Sequence, residues 1–108
     1  MKIDILTLFP EMFTGFLNTS IIKRTIDKEL VDVRLHDFRE FSKDKHKHVD
    51  DYPYGGGQGM VLMCEPIIEC LKALTTDDSI VILMSPQGLT LNHGLAVELS
   101  NKKHLIII

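Results

Sequence analysis

The chain of 108 residues has few cysteines, no extended apolar run, no internal repeat and no strong excess of one charge. Each shortage closes off a class. Its longest apolar runs, Ile80–Met84 and Leu105–Ile108, fall far short of the roughly 20 residues that a helix needs to cross a bilayer, so no membrane partner is expected. Cys64 and Cys70 match neither a CxxC redox pair nor a zinc knuckle, and beside apolar residues on a predicted helix they read as buried, reduced thiols. Asp4 interrupts the apolar stretch after Lys2 and no small-residue cleavage site follows, so a secretory leader is not expected and a cytoplasmic address is.

What is present is a globular composition, 44% hydrophobic and 25% charged, of a size for one domain. The net charge of −3 hides a basic patch: between Arg39 and His48 four Lys/Arg face two acids, with two histidines besides. Ile3–Phe9 reads as a buried strand, with Pro10 suited to the first turn of a following helix. Asn18 to Ser20 can cap a second helix with Ile22, Ile26 and Leu30 on one face, and Val31–Phe38 alternates as a strand. Pro66 opens a helix through Ile67, Leu71 and Leu74, Ser79–Met84 is an apolar strand, Asn92 caps a short helix, and Leu105–Ile108 begins another strand. Continuous apolar strands separated by helices predict an α/β fold, a mostly parallel sheet with helices on both faces.

Two segments stand out. Ser85-Pro86-Gln87-Gly88 suits a type I turn at the carboxyl end of a strand, where ligands bind in open α/β sheets. From Arg39 to Gly59 no periodicity survives, a long loop for a compact domain, and its stretch from His46 to Met60 packs four of the seven glycines into five positions. Gly55-Gly56-Gly57-Gln58-Gly59 lacks the lysine of a triphosphate loop, but adjacent glycines permit positive φ and a close backbone approach to a flat partner. His46, His48 and Asp50 alternate and admit a metal only weakly, so no metal is expected. The loop's cations, with Tyr52 and Tyr54 available for stacking, favour nucleic acid over a plain solvated loop. Polar and glycine-rich, roughly residues 43–57 are expected to be locally disordered without a ligand.

Asp4 to Phe13, Asp37-Phe38-Arg39, His46 to Met60 and Ser85 to Gly88, in this order, resemble the bacterial tRNA (guanine-N1)-methyltransferases that modify position 37, beside the anticodon. The resemblance implies a trefoil-knot methyltransferase fold, a knot that general topology rules count against. It also implies S-adenosylmethionine as cofactor, tRNA as substrate and a homodimer with the active site at the interface. Met84, Ser85, Pro86, Gln87 and Gly88 match the first cofactor-wrapping loop. Asp50, Gly55, Gly56, Gly57, Gly59 and Met60 match the segment near the methyl-accepting guanine. Departures are Met84, Tyr52 and Gln58, where many relatives carry an aromatic residue, an arginine and a proline. Residues 1–108 would then be the amino-terminal part of the cofactor-binding domain. The knot-completing loops, the carboxyl-terminal tRNA-binding domain, the general base and the catalytic arginine are expected beyond Ile108, leaving no catalytic residue in this chain. The alternatives are a free-standing RNA-binding or dimerisation module, and a small nucleotide-binding domain unrelated to methylation.

Overall fold

Four strands lie side by side in the order β2-β1-β6-β5, all parallel, in a computed structural model that describes residues 1–108. They are β1 (Lys2–Thr7), β2 (Asp32–Asp37), β5 (Ser79–Ile82) and β6 (His104–Ile107). Between them come α1 (Thr14–Leu17) and α2 (Ser20–Asp27), a separate two-stranded antiparallel hairpin of β3 (Asp50–Asp51) and β4 (Val61–Leu62), then α3 (Cys64–Leu74) and α4 (His93–Ser100). The α/β class and the parallel sheet follow the sequence pattern. No helix is long and apolar enough to cross a membrane.

Register assigns each strand residue to a face, because side chains alternate and paired residues in a parallel ladder point the same way. Ile3 and Ile5 of β1, Val33 of β2 and Ile107 of β6 line one face. There α1 and α2 lie over the sheet through Phe16, Leu17, Ile22 and Ile26, leaving an apolar depression of about 250 Å³. On the other face Leu6 and Ile106 join Phe38, Val49 and Cys70 in the buried core beneath α3.

That second face also carries Asp4, whose side chain is wholly buried in the central strand. His104 Nε2 lies 2.6 Å from its Oδ2, His36 Nε2 2.7 Å from its Oδ1, and Lys2 Nζ 2.8 Å from Oδ2. An ionised carboxylate only accepts, so both histidines donate from Nε2. In the neutral ring His104 Nδ1 then accepts from the Ser79 hydroxyl, 2.7 Å away, while Ser79 Oγ accepts from the Thr76 amide. The chain of bonds touches all four strands, and no buried side-chain polar atom lacks a partner. Burial pushes the Asp4 carboxyl up, but hydrogen bonds from Lys2, His36 and His104 outweigh it and hold the group below the ordinary aspartate value.

Several sequence expectations shift in detail. Within the expected capping stretch Asn18 to Ser20, Thr19 takes the N-cap position of α2 but its side chain caps nothing there, its hydroxyl donating back to Gly15 O, while Asn18 closes α1, with Nδ2 donating to Thr14 O at 2.8 Å. Leu30 falls beyond α2 and is exposed. Pro10 opens a single 3-10 turn over Pro10–Phe13. Helix α3 begins at Cys64, two residues before Pro66, which is tolerated because the first-turn N–H groups have no intrahelical acceptor. A 3-10 turn over Phe38–Phe41 orders the start of the long loop. Asn92 caps α4 as expected, its Oδ1 accepting from Leu95 N at 2.9 Å.

The two cysteines differ. Cys70 is buried and Cys64, at the start of α3, is exposed. Burial, with the Asp4 charge nearby, pushes the Cys70 thiol up to about 11. In the folded protein one thiol, Cys64, is expected to react quickly with a disulfide reagent, and Cys70 only on unfolding. Peptide mapping of the labelled sites checks this.

Replacing Asp4 by Asn should cost about 3 kcal/mol, because removing one partner from a buried ion cluster strands the others. Breaking the exposed Lys23–Asp27 pair should cost under about 1 kcal/mol. Because the folded Asp4 value is depressed, its contribution is fully present above the unfolded aspartate pKa and disappears as pH falls through the lower folded value. Urea midpoints measured from pH 6 to 2 should therefore fall less steeply in Asp4→Asn than in the parent.

Candidate functional site

The long loop is tied down at its base. Val49 is buried in the core, and its carbonyl accepts from Met63 N at 2.7 Å, just before α3 begins. Asp50 pairs with Leu62 and Asp51 with Val61, which closes the loop into the β3–β4 hairpin. Lys43 Nζ meets Glu65 Oε1 at 2.7 Å, Ser42 Oγ donates to His48 O at 2.7 Å, and His48 Nδ1 pairs with the Asp44 carboxylate. The His48 amide, donating to Asp44, is the main reason that the Asp44 carboxyl lies below its ordinary value; the Glu65 carboxylate raises Lys43.

Across the hairpin tip the chain uses its glycines for backbone conformation. Gly55, Gly56, Gly57 and Gly59 have φ of 85°, 80°, 120° and 94°, a region that side chains strongly disfavour. Gly56 N donates to Pro53 O at 3.2 Å, a turn with Gly55 at the third position, where type II geometry needs positive φ. A Cβ at any of the four glycines would meet nothing within 4 Å, so the tip stands open to an approaching partner.

Asp50 and Met60 border one shallow depression of about 450 Å³, together with Asp44, His48, Asp51 and Tyr52. The structure therefore gathers the predicted carboxylate, the methionine that follows the glycines and part of the basic patch. Asp50 and Asp51 both border it although adjacent strand residues point to opposite faces, because the hairpin is only two pairs long.

The other predicted group, Met84 to Gly88, follows the carboxyl end of β5. Met84 N donates to Ile108 O at 3.0 Å, continuing the β5–β6 ladder, and Gly88 N donates to Ser85 O at 3.0 Å, closing the expected turn. Ser85 Oγ accepts from Gln87 N at 3.2 Å. A Cβ on Gly88 would lie 3.2 Å from Ser85 O, a tight contact that a side chain could enter only if the turn gave by a few tenths of an ångström; φ is not the constraint here. The carbonyls of Met84, Pro86 and Gln87 have no intramolecular partner, and Leu83, Met84, Leu89 and Leu91 are exposed around them. No hydrogen bond or ion pair joins this turn to the hairpin.

Nothing local in the sequence connects His36 and His104 to Asp4, or Lys43 to Glu65. The first two meet only through strand order, and the third through the path of a 22-residue excursion.

Hydrogen exchange should separate base from tip. The Met63 amide, bonded to buried Val49, is expected to be protected by at least tenfold over the amides of Gly55, Gly57 and Gly59, which have no backbone acceptor.

The sequence profile of the family described as tRNA (Guanine-1)-methyltransferase TrmD matches residues 1–108. Among curated relatives, the tRNA (guanine-N(1)-)-methyltransferase of Dictyoglomus turgidum is 52% identical over 108 residues, and that of Staphylococcus haemolyticus 54% over 109. The protein of the same name from Dehalococcoides mccartyi is 55% identical over 111 residues. Each match takes in 100% of this chain but only 44 to 45% of the relative, so the chain spans less than half their length. With the profile matching from end to end, the chain belongs to the tRNA (guanine-1)-methyltransferase family.

Proposed function

We propose that this chain is the amino-terminal part of a cytoplasmic trefoil-knot methyltransferase that transfers a methyl group from S-adenosylmethionine to N1 of guanine 37 in tRNA, working as a homodimer. The observation that carries the reading is the end-to-end family match at about half identity. The two groups of residues named above give it a physical layout.

The turn Met84 to Gly88 fits the cofactor's adenine. Its unpartnered carbonyls can accept from an exocyclic amino group, and the exposed Leu83, Met84 and Leu89 side chains offer apolar surface to a ring. When bound, S-adenosylmethionine supplies an electrophilic methyl group on a sulfonium sulfur. On the RNA side, Asp50 can accept from the N–H groups of a guanine edge, and the positive-φ glycines let backbone approach a base closely. Lys45 and Lys47, which enter no ion pair, are available to phosphates. Within this reading proton removal from N1 and stabilisation of the developing charge fall to residues outside 1–108.

The test is methyl transfer by the full-length protein that carries this chain, with labelled S-adenosylmethionine and tRNA bearing either guanine or adenine at position 37. Label is expected in the guanine transcript alone, and Asp50→Ala should lower kcat/KM for tRNA at least tenfold. Residues 1–108 alone should transfer none. Label entering the adenine transcript equally, or robust transfer by residues 1–108, would refute the reading; salt-dependent tRNA binding without transfer would favour the RNA-binding module.

A further inference from the structure

Of the two histidines on Asp4, His104 is the buried one: its side chain is 6% exposed, against 23% for His36. Both its ring nitrogens are engaged, Nε2 with Asp4 Oδ2 at 2.6 Å and Nδ1 with Ser79 Oγ at 2.7 Å. The carboxylate keeps a proton on Nε2, so the bond to Ser79 decides whether the ring can carry a second one. Ser79 Oγ has one further neighbour, Thr76, whose amide donates to it at 2.8 Å. The Thr76 hydroxyl stands 3.1 Å from it, and either hydroxyl can be the donor. Thr76 is exposed and Ser79 partly so.

A serine, a histidine and an aspartate bonded in this order resemble a hydrolytic triad. None of the hollows on the hairpin or beside α1 and α2 borders Ser79, however, and the Thr76 amide occupies its oxygen. The arrangement suits a reversal of hydrogen bonds instead.

We propose that His104 is a proton acceptor built into the sheet: it takes a second proton on Nδ1 while the chain stays folded, and the Ser79 hydroxyl turns from His104 to Thr76 to receive it. A proton from water bonds to the Nδ1 lone pair. The Ser79 O–H···Nδ1 bond is replaced by Nδ1–H···Oγ, the freed Ser79 hydrogen points to Thr76 Oγ1, and the Thr76 hydrogen turns to solvent. Ser79 Oγ then accepts twice and donates once, its full capacity, and no heavy atom has to move. Without that hydroxyl the protonated ring would carry a buried, unsatisfied charged donor, and the folded chain would refuse the proton.

Few charges surround the ring. Asp4 and Lys2 lie on β1, and His36 of β2 holds the other Asp4 oxygen. Asp78, just before β5, is turned to Lys103 at 3.1 Å, and Cys70 of α3, its thiol pushed up to about 11, is uncharged near neutrality. A proton on His104 therefore meets one carboxylate and one ammonium. What the reversal protects is β5, an edge strand joined to the sheet through β6 alone, in a ladder where Ser79 and His104 are paired residues. A histidine that bound its proton only after unfolding would weaken this edge as pH falls. None of this depends on the reaction proposed above.

The test follows the imidazole nitrogens of the full-length protein that carries this chain, labelled with 15N-histidine, by NMR from pH 7.5 to 5. That range spans the titration of histidine in an unfolded chain, at about 6.5. The His104 Nδ1 signal is expected to pass to its protonated position while the amide spectrum remains that of the folded protein. In Ser79→Ala it should stay unprotonated as long as the chain is folded. The unfolding constant from urea titration should then rise between pH 7 and 5 by about tenfold more than in the parent. Ser79→Thr, which restores the hydroxyl, should return both readings to those of the parent. A parent protein in which Nδ1 stays bare until the sheet unfolds overturns the proposal, and this titration decides the point even if the alanine variant does not fold. Equal protonation of the ring in the parent and Ser79→Ala also overturns it, because the hydroxyl then has no part.

Discussion

A buried carboxylate in the middle of the central strand is the constraint around which the rest of the chain is arranged. Asp4 is wholly enclosed, and an ion there is tolerable only if its acceptors are filled. The three groups that fill them come from β1, β2 and β6, and Ser79 extends the network to β5. The strand order and register are those that bring these donors together. A slip of β1 by one residue would turn Asp4 onto the face of Ile3 and Ile5, among Val33, Ile107 and the apolar side chains of α1 and α2, with no donor in reach. The cluster thus rejects wrong registers more strongly than it rewards the right one, since a satisfied buried ion network adds little net stability but a broken one costs several kcal/mol.

The cluster also decides where the chain is free to vary. Lys2, Ser79 and His104 are the first residues of β1, β5 and β6, so the polar lock sits toward the amino ends of these strands. Their carboxyl ends carry the connections: Met84 to Gly88 after β5, and after β2 the long excursion that becomes the hairpin. Helix α3 couples lock to hairpin. Its Cys70 packs in the core with Leu6 and Ile106, near enough to Asp4 for the carboxylate to disfavour the thiolate, while its first turn holds Lys43 through Glu65 and follows directly on β4. A change in how α3 seats on the sheet would therefore reach the hairpin through covalent continuity and one ion pair.

The sequence displayed the elements more readily than their meeting points. Apolar runs in β1, β5 and β6, the Asn92 cap and the turn at Ser85 to Gly88 are local features, settled by residues within a few positions of one another, and they were legible. Asp4 read only as an interruption of an apolar strand, and His36 and His104 read as unconnected, because the two histidines lie 32 and 100 residues away from it and meet it only once strand order is known. The hairpin was missed for a different reason: strands of two residues are shorter than one period of any hydrophobic pattern, so the loop showed its composition but not its pairing. Of the candidate site, residue chemistry could point to Asp50, the glycines and the strand-end turn, but the identity of their ligands came only from family resemblance.

The distribution of carboxyl groups bears on the division of chemical labour. A general base working near neutral pH is best served by a pKa brought toward that range, which for a carboxyl means burial without a full set of donors. Asp4 is buried but saturated, and its value is lowered; it also faces α3 and not the loops. Asp44 is exposed and lowered by the His48 amide. Asp50 and Asp51 are exposed on a two-residue strand, open to a partner that donates hydrogen bonds. Of Asp4, Asp44, Asp50 and Asp51, none combines burial with unfilled acceptors. That asymmetry is what the proposed reading requires if the hairpin and the strand-end turn hold the two substrates while residues outside 1–108 move the proton.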